Sequence, residues 1–152
     1  MSLLPSKEIL KHLSDIIHAD TQQHEFNIDL TVSEVHLITG SGSLDFGGSE
    51  FHAAESVPVK PEKENPDDDY GWWKLKKGTH RLLFNESLEE IPNGIALISP
   101  HSHAQQAGLI TNSRIITASE DTDQLFMNIV VPEAGCRIKE NARIASLIIL
   151  EG

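Results

Sequence analysis

The densest run of reactive side chains in this sequence is Pro100-His101-Ser102-His103, a hydroxyl between two imidazoles, with Ser99 just before it. A hydroxyl can donate to or accept from a phosphate or carbonyl oxygen, and neutral imidazole can serve as acid, base or ligand to a borderline cation such as zinc. In an extended backbone His101 and His103 would share one face, as residues two apart do, and could chelate such a cation. Two ligands alone make a weak site, and no glutamate or third histidine follows at a usable spacing. Ordinary polar side chains at a strand end are therefore the simpler reading, with a metal-binding jelly-roll protein using His101 and His103 kept as an alternative. His12, His18, His24, His36, His52 and His80 show no ligand spacing. Cys136 has no base placed beside it by sequence and reads as a small edge residue.

The elements around this run must hold it in place. Ile91 to Leu109 reads as an apolar strand over Gly94 to Ile98, a polar turn over Ser99 to His103, and a helix-compatible run closing at Gly108. Upstream, Ile9, Leu10, Leu13, Ile16 and Ile17 line one side of a helix predicted over Ser6 to Ile17, with Ser6 as its N-cap. Phe26, Ile28, Leu30 and Val32 alternate with Asn27, Asp29 and Thr31, the pattern of a half-buried strand, and a second short strand is predicted over Val35 to Ile38. Val57 to Gly71, with three prolines among seven charged residues, is a solvated loop by composition. Further strands are predicted at Trp72 to Leu75, His80 to Phe84, Arg114 to Thr117, Leu125 to Val131 and Arg143 to Leu150. Many short strands with Gly and Pro punctuation and one short N-terminal helix indicate an all-β sandwich or barrel.

Length and charge bound the partners. A chain of 152 residues suits one domain, residues 1–152. Twelve basic and 23 acidic residues leave a net charge of −11, which disfavours nonspecific contact with nucleic acid or an anionic membrane. An anionic substrate would need a local basic pocket or a divalent cation. With one cysteine, no intramolecular disulfide forms, which suits a reducing compartment. No apolar run approaches the roughly 20 residues that span a bilayer, and the first twenty residues lack a secretory pattern, so a cytoplasmic location is expected.

Taken in order, the segments resemble the dUTPase and dCTP deaminase superfamily over nearly the full length. Asp29-Leu30 resembles that family's N-terminal DL segment, and Trp73 to Thr79 its "W-x-L-x-P-G" hairpin with Lys77 where proline is usual. Glu86, Ile91 and Pro92 resemble the "E-x-I-x-x-P" entry to the central strand. Pro100-His101-Ser102 with Gly108-Leu109 resembles the phosphate-binding "R-S-S-L-A-R-x-G-L" motif, and Arg143 to Leu147 the terminal "R-I-A-Q-L" strand.

The resemblance implies a distorted jelly-roll barrel of the dUTPase type, assembled as a homotrimer with active sites between subunits. It implies a deoxynucleoside triphosphate as partner, with Mg2+ accompanying the nucleotide if the protein is active. Substrate-binding positions fall on His101, Ser102, Gln106 and Ser146, and catalytic positions on Thr117 and Asn128. Several carry altered chemistry. His101 stands where the family has arginine, and imidazole cannot copy a permanent bidentate grip on phosphate. Gln106 replaces a second arginine. Thr117 or Ala118 occupies the position of the aspartate that orients water in dUTPases, and Asn128 that of the deaminase glutamate. Thr117, Ala118 and Asn128 cannot move a proton. Glu120 and Asp121 are acidic neighbours that could stand in. The expectation is a deoxynucleotide-binding scaffold with lost or altered catalysis. The alternative is an active dUTP diphosphatase or dCTP deaminase of nucleotide metabolism, a hydrolase.

Overall fold

One strand, Ile28–Ile38, organises the sheet around it. The computed structural model describes residues 1–91, 93–117 and 124–152. In chain order its elements are β1 (Ser2–Leu3), α1 (Ser6–Ile9), β2 (Leu13–Ser14), α2 (Ala19–Gln22), β3 (Ile28–Ile38), β4 (Ser56–Pro58), β5 (Trp72–Leu75), β6 (Gly78–Phe84), β7 (Ser87–Leu88) and β8 (Gly94–Pro100). Then follow α3 (Ser102–Gln106), β9 (Ile110–Thr111), β10 (Arg114–Thr117), β11 (Phe126–Val131), β12 (Cys136–Lys139) and β13 (Arg143–Glu151). The largest sheet runs β10-β8-β13-β3-β6-β11-β9, with β1 on β13 and β4 on β3, and the strand pairs in it are antiparallel.

β3 turns the sheet over on itself. Its first half pairs with β13, Ile28 to Leu147 through Thr31 to Arg143, and its second half pairs with β6, Val32 to Phe84 through Leu37 to His80. Register shifts lie at both changes of partner, between Arg143 and Ala145 and between Val32 and Glu34. Such bulges bend a strand and raise its twist, which lets one long strand serve both layers of a curled sheet. The all-β expectation holds, with α2 and α3 as short helices beside the N-terminal one.

Inside the curl sit Ile28, Leu30, Val32, Leu82, Ile98, Ile129, Leu147 and Ile149, each at 0% exposure. Each such side chain contributes about 1.5–3 kcal/mol relative to leaving it in water. The β5–β12 pair adds Trp73, which is buried and donates its indole N–H to Val59 O at 2.9 Å. Its neighbour Trp72 points the other way, under the guanidinium of Arg137.

Three sequence expectations need correction here. The helix over Ser6 to Ile17 is only α1 plus one 3-10 turn at Leu10–His12, and Pro5 rather than Ser6 is its N-cap. Leu13 is drawn into β2 opposite Leu88, and Asp15 adopts φ 65, so tertiary pairing overrides the helical spacing. The strand over Phe26 to Ile38 is not half-buried: Asp29 and Thr31, on its supposed polar face, are 1% and 3% exposed. Residues Val35 to Ile38 are the end of that same strand rather than a second one.

Candidate functional site

Asp29, Ser146 and Ser99 lie side by side across β3, β13 and β8, because Ser146 is in register with both of the others. Directly opposite residues in a sheet project to the same side. One row of polar groups therefore crosses three central strands. Asn27 closes one end by donating Nδ2–H to Ser146 Oγ at 2.8 Å. At the other end β8 stops at Pro100, and His101 starts α3 by accepting the backbone N–H of His103 on Nδ1 at 3.0 Å. Gly108, at φ +91, ends the helical turn, with Leu109 N–H donating to Ala104 O at 3.1 Å. Together they frame an open cleft of about 430 Å3 lined by Asn27, Asp29, Ser99, His101, Ser102 and Ser146 among others.

The charged centre of the cleft is Asp29. Its Oδ2 lies 2.8 Å from His24 Nε2, 3.0 Å from Arg143 Nη1 and 3.6 Å from His101 Nε2. Arg143 is held from behind as well, donating from Nη1 to Thr21 O at 3.3 Å. His101 keeps Nδ1 unprotonated to accept its backbone bond, so its neutral form carries the proton on Nε2, toward Asp29. Burial pushes the His101 pKa down from 6.5; Asp29 pulls it up, while His103, Arg143 and His24 lower it further.

A second buried carboxylate supports this site from below. Glu86, 1% exposed, accepts from Thr31 N–H at 2.8 Å, Thr31 Oγ1 at 2.6 Å and Gln22 Nε2 at 2.9 Å. Gln22 Nε2 is shared with Asp29 O at 2.9 Å, and Gln22 Oε1 gathers the N–H groups of Ile17 and His18. The network pins α2 against β3, which covers the strand's second face and explains why Asp29 is buried. Desolvation raises the Glu86 pKa above 4.5, against the bonds from Thr31 and Gln22 that lower it.

The structure brings together three of the residues singled out from sequence: His101, Ser102 and Ser146. Gln106 is exposed at the end of α3, Thr117 is exposed on β10 opposite Ile95, and Asn128 is exposed on β11, accepting from Arg81 Nε at 3.3 Å. β10 and β11 stand four strands apart in the sheet order, but the curl brings them together where Arg114 of β10 lies over the Phe126 ring of β11 and donates to Phe126 O at 3.4 Å. Ala118, Glu120 and Asp121 lie outside the described residues.

Two readings change. His101 and His103 do not share a strand face: one is the N-cap and the other lies inside α3, their rings 4.7 Å apart and inclined at 60°. Among the described residues no group of three or more His, Cys, Asp or Glu side chains is placed to hold a metal ion, so the zinc pair is not supported. The positions assigned to substrate binding and catalysis offered this pocket neither carboxylate nor guanidinium, yet Asp29 and Arg143 supply both from β3 and β13.

Comparison with known proteins fits this architecture. No family model matches the chain. A probable deoxyuridine 5'-triphosphate nucleotidohydrolase of Methanosarcina acetivorans is 32% identical, the alignment covering 97% of this chain and 87% of that protein. The protein of the same description in Methanosarcina barkeri is also 32% identical over the same shares. The crystal structure of 2'-deoxycytidine 5'-triphosphate deaminase from Agrobacterium tumefaciens superimposes with a TM-score of 0.67 at 14% identity. That match covers 99% of this chain and 48% of the deaminase chain, so the chain spans about half its length and shares its fold.

Proposed function

This chain belongs to the dUTPase family, within the dUTPase and dCTP deaminase superfamily, and on that premise we propose that its cleft binds a deoxynucleoside triphosphate while turnover there is lost or altered. The observation that carries this reading is the commitment of Asp29. Its Oδ2 already accepts from Arg143 and His24 and faces His101, so it anchors the site and is poorly free to take a proton from water. Thr117 and Asn128 carry no proton-transfer group either. What remains suits holding an anion: the hydroxyls of Ser102 and Ser146, and His101, which gains charge on acidification.

Magnesium belongs to the nucleotide in this reading. Mg2+ takes few protein carboxylates and completes its shell from water and phosphate oxygens. Asp29 is the one carboxylate lining the described cleft, and its engagement by Arg143 and His24 does not fit a resident metal. A chain of net charge −11 gains from receiving a triphosphate already neutralised by a divalent cation. We further infer that residues 1–152 act as one dUTPase-like domain, assembled as a homotrimer in the cytoplasm. Subunit contacts would bring the exposed Gln106, Thr117 and Asn128 of different copies toward a cleft that one copy leaves open.

The second reading is an active dUTP diphosphatase, favoured by the Methanosarcina relatives, which are described as probable deoxyuridine 5'-triphosphate nucleotidohydrolases. Incubation with dUTP, dCTP and magnesium, followed by chromatography of products, separates the two. The binding reading expects substrate recovered intact. Release of dUMP and diphosphate, or of dUTP from dCTP, at about 1 per second or faster would establish an enzyme.

A further inference from the structure

Residues 39–55 join β3 to β4 as an arm that is tied across its own base. Thr39 N–H donates to Glu55 O at 2.8 Å, Ser43 and His52 exchange backbone bonds at 3.0 and 3.1 Å, and Ser43 Oγ donates to Glu50 O at 2.6 Å. Such bonds hold the arm's side chains in a fixed presentation. Its apolar side chains nonetheless face outward: Leu44 is 89% exposed, Phe46 109% and Phe51 54%. Scattered surface apolar residues need no explanation, but three large ones within eight positions on a bonded protrusion mark a contact surface. The arm carries Asp45, Glu50 and Glu55 and no lysine or arginine.

A groove of complementary character lies elsewhere on the chain. Its volume is about 310 Å3, its floor includes Leu109, Ile138 and Ile144, and Arg137, Lys139 and Arg143 stand round it. None of its described lining residues is acidic. In a chain with 23 acidic and 12 basic residues this is a local reversal of sign. Trp72 flanks the groove beneath Arg137, 4.4 Å from ring centroid to guanidinium carbon. Arg137 also pairs with the exposed Glu64, a surface contact that exchanges readily for another carboxylate.

We propose that the arm of one copy docks in this groove of a second copy, with Phe46 on the apolar floor and the exposed Glu50 against Arg137 and Lys139. Arm and groove are different patches, so the contact is heterologous and closes into a ring when the rotation allows. Every arm is then used and every groove filled. The groove shares Arg143 with the Asp29 ion pair, which places the docked arm beside the nucleotide cleft. The inference does not depend on what that cleft binds.

Size-exclusion chromatography with light scattering, run on the full chain over a range of concentrations, tests it. The wild type is expected to be an oligomer, and Phe46→Ser/Phe51→Ser a monomer with an unchanged circular dichroism spectrum and cooperative melting. Glu50→Lys and Arg137→Glu should each dissociate the assembly, and both changes in one chain should restore it. That restoration keeps the test decisive should the phenylalanine variant fail to fold. A monomeric wild type would mean that the arm serves another protein or a lipid surface, and it overturns the proposal. An oligomer of wild-type mass in every variant overturns it equally.

Discussion

Asp29 Oδ2 and Arg143 Nη1 meet at 3.0 Å, joining β3 to β13 just where the β13 register shifts between Arg143 and Ala145. The bulge sets Arg143 opposite Thr31, on the face that Thr31 shares with Asp29, so its side chain reaches Asp29 along the sheet. The ion pair is thus a product of the bend that curls the sheet, and stability and site geometry are linked through it.

Removing one member of this pair should therefore cost more than removing both. Asp29 is 1% exposed but Arg143 is 36% exposed, so solvent screens the guanidinium that Asp29→Asn leaves against a neutral amide and the expected cost is about 1–3 kcal/mol. Asp29→Asn with Arg143→Gln should cost less than the sum of the single variants. Urea titrations of the three variants measure the coupling, and strict additivity would show that the two side chains do not act together.

Glu86 is expected to be the most sensitive position of the underlying network. Glu86→Gln turns one acceptor into an amide donor facing the donors of Thr31 and Gln22, an unsatisfied arrangement worth about 1–3 kcal/mol. The pH dependence runs against this. Because burial raises the Glu86 pKa, the folded state binds its proton more readily than the unfolded chain does. The cost of holding the carboxylate ionised is present above the raised value and is relieved as pH falls toward 4.5. Thermal melts from pH 7 to pH 4.5 should show the gap between wild type and Glu86→Gln widening as the pH drops.

His101 behaves in the opposite sense. Its pKa lies below 6.5 in the folded chain, chiefly through burial, so the unfolded chain takes up the proton first and His101 withdraws stability as pH falls below 6.5. A bound triphosphate would favour the charged imidazole. Affinity for dUTP should therefore rise between pH 8 and pH 5.5 in the wild type, and His101→Gln should flatten that rise. Fluorescence titration at four pH values reads the difference.

Ser102 offers one hydroxyl to the ligand. Its loss in Ser102→Ala should weaken nucleotide binding about 3- to 10-fold, the equivalent of about 0.5–1.5 kcal/mol for a single neutral hydrogen bond. Ser102 is exposed, so the melting temperature should stay unchanged. Equal affinity in variant and wild type would place the phosphates elsewhere.

Much of this architecture was legible in the sequence. The apolar strand over Gly94 to Ile98, the helix-compatible run after it and the stop at Gly108 all follow from local spacing, and the structure has them with β8 extended to Pro100 and α3 starting at Ser102, inside the expected turn. The opposed directions of Trp72 and Trp73 follow from strand geometry in the same way. The centre of the cleft was harder to read. Asp29 sits in a clean apolar and polar alternation, which normally means a solvated face, and Gln22 and Glu86, 7 residues and 57 residues away, close that face over together with His24, His101 and Arg143. Alternation reports one buried side and carries no signal for a polar network burying the other. Arg143 was visible as part of a terminal-strand motif, but its direction depends on a bulge that no local pattern announces. The pairing of His101 with His103 failed for a related reason. The strand ends at Pro100, three residues short of the extended backbone through His103 that a chelating pair requires, and His101 takes up the cap of the next helix.

The central claim is that the cleft around Asp29, His101 and Ser102 holds a deoxynucleoside triphosphate without turning it over. Isothermal calorimetry with dUTP and magnesium addresses both halves at once, since binding gives a heat that decays after each injection and hydrolysis gives one that persists. The expected trace shows saturable binding, weakened in Ser102→Ala, and a baseline that returns fully. A sustained heat of hydrolysis corresponding to about 1 turnover per second or more, or no saturable heat at all, would contradict it.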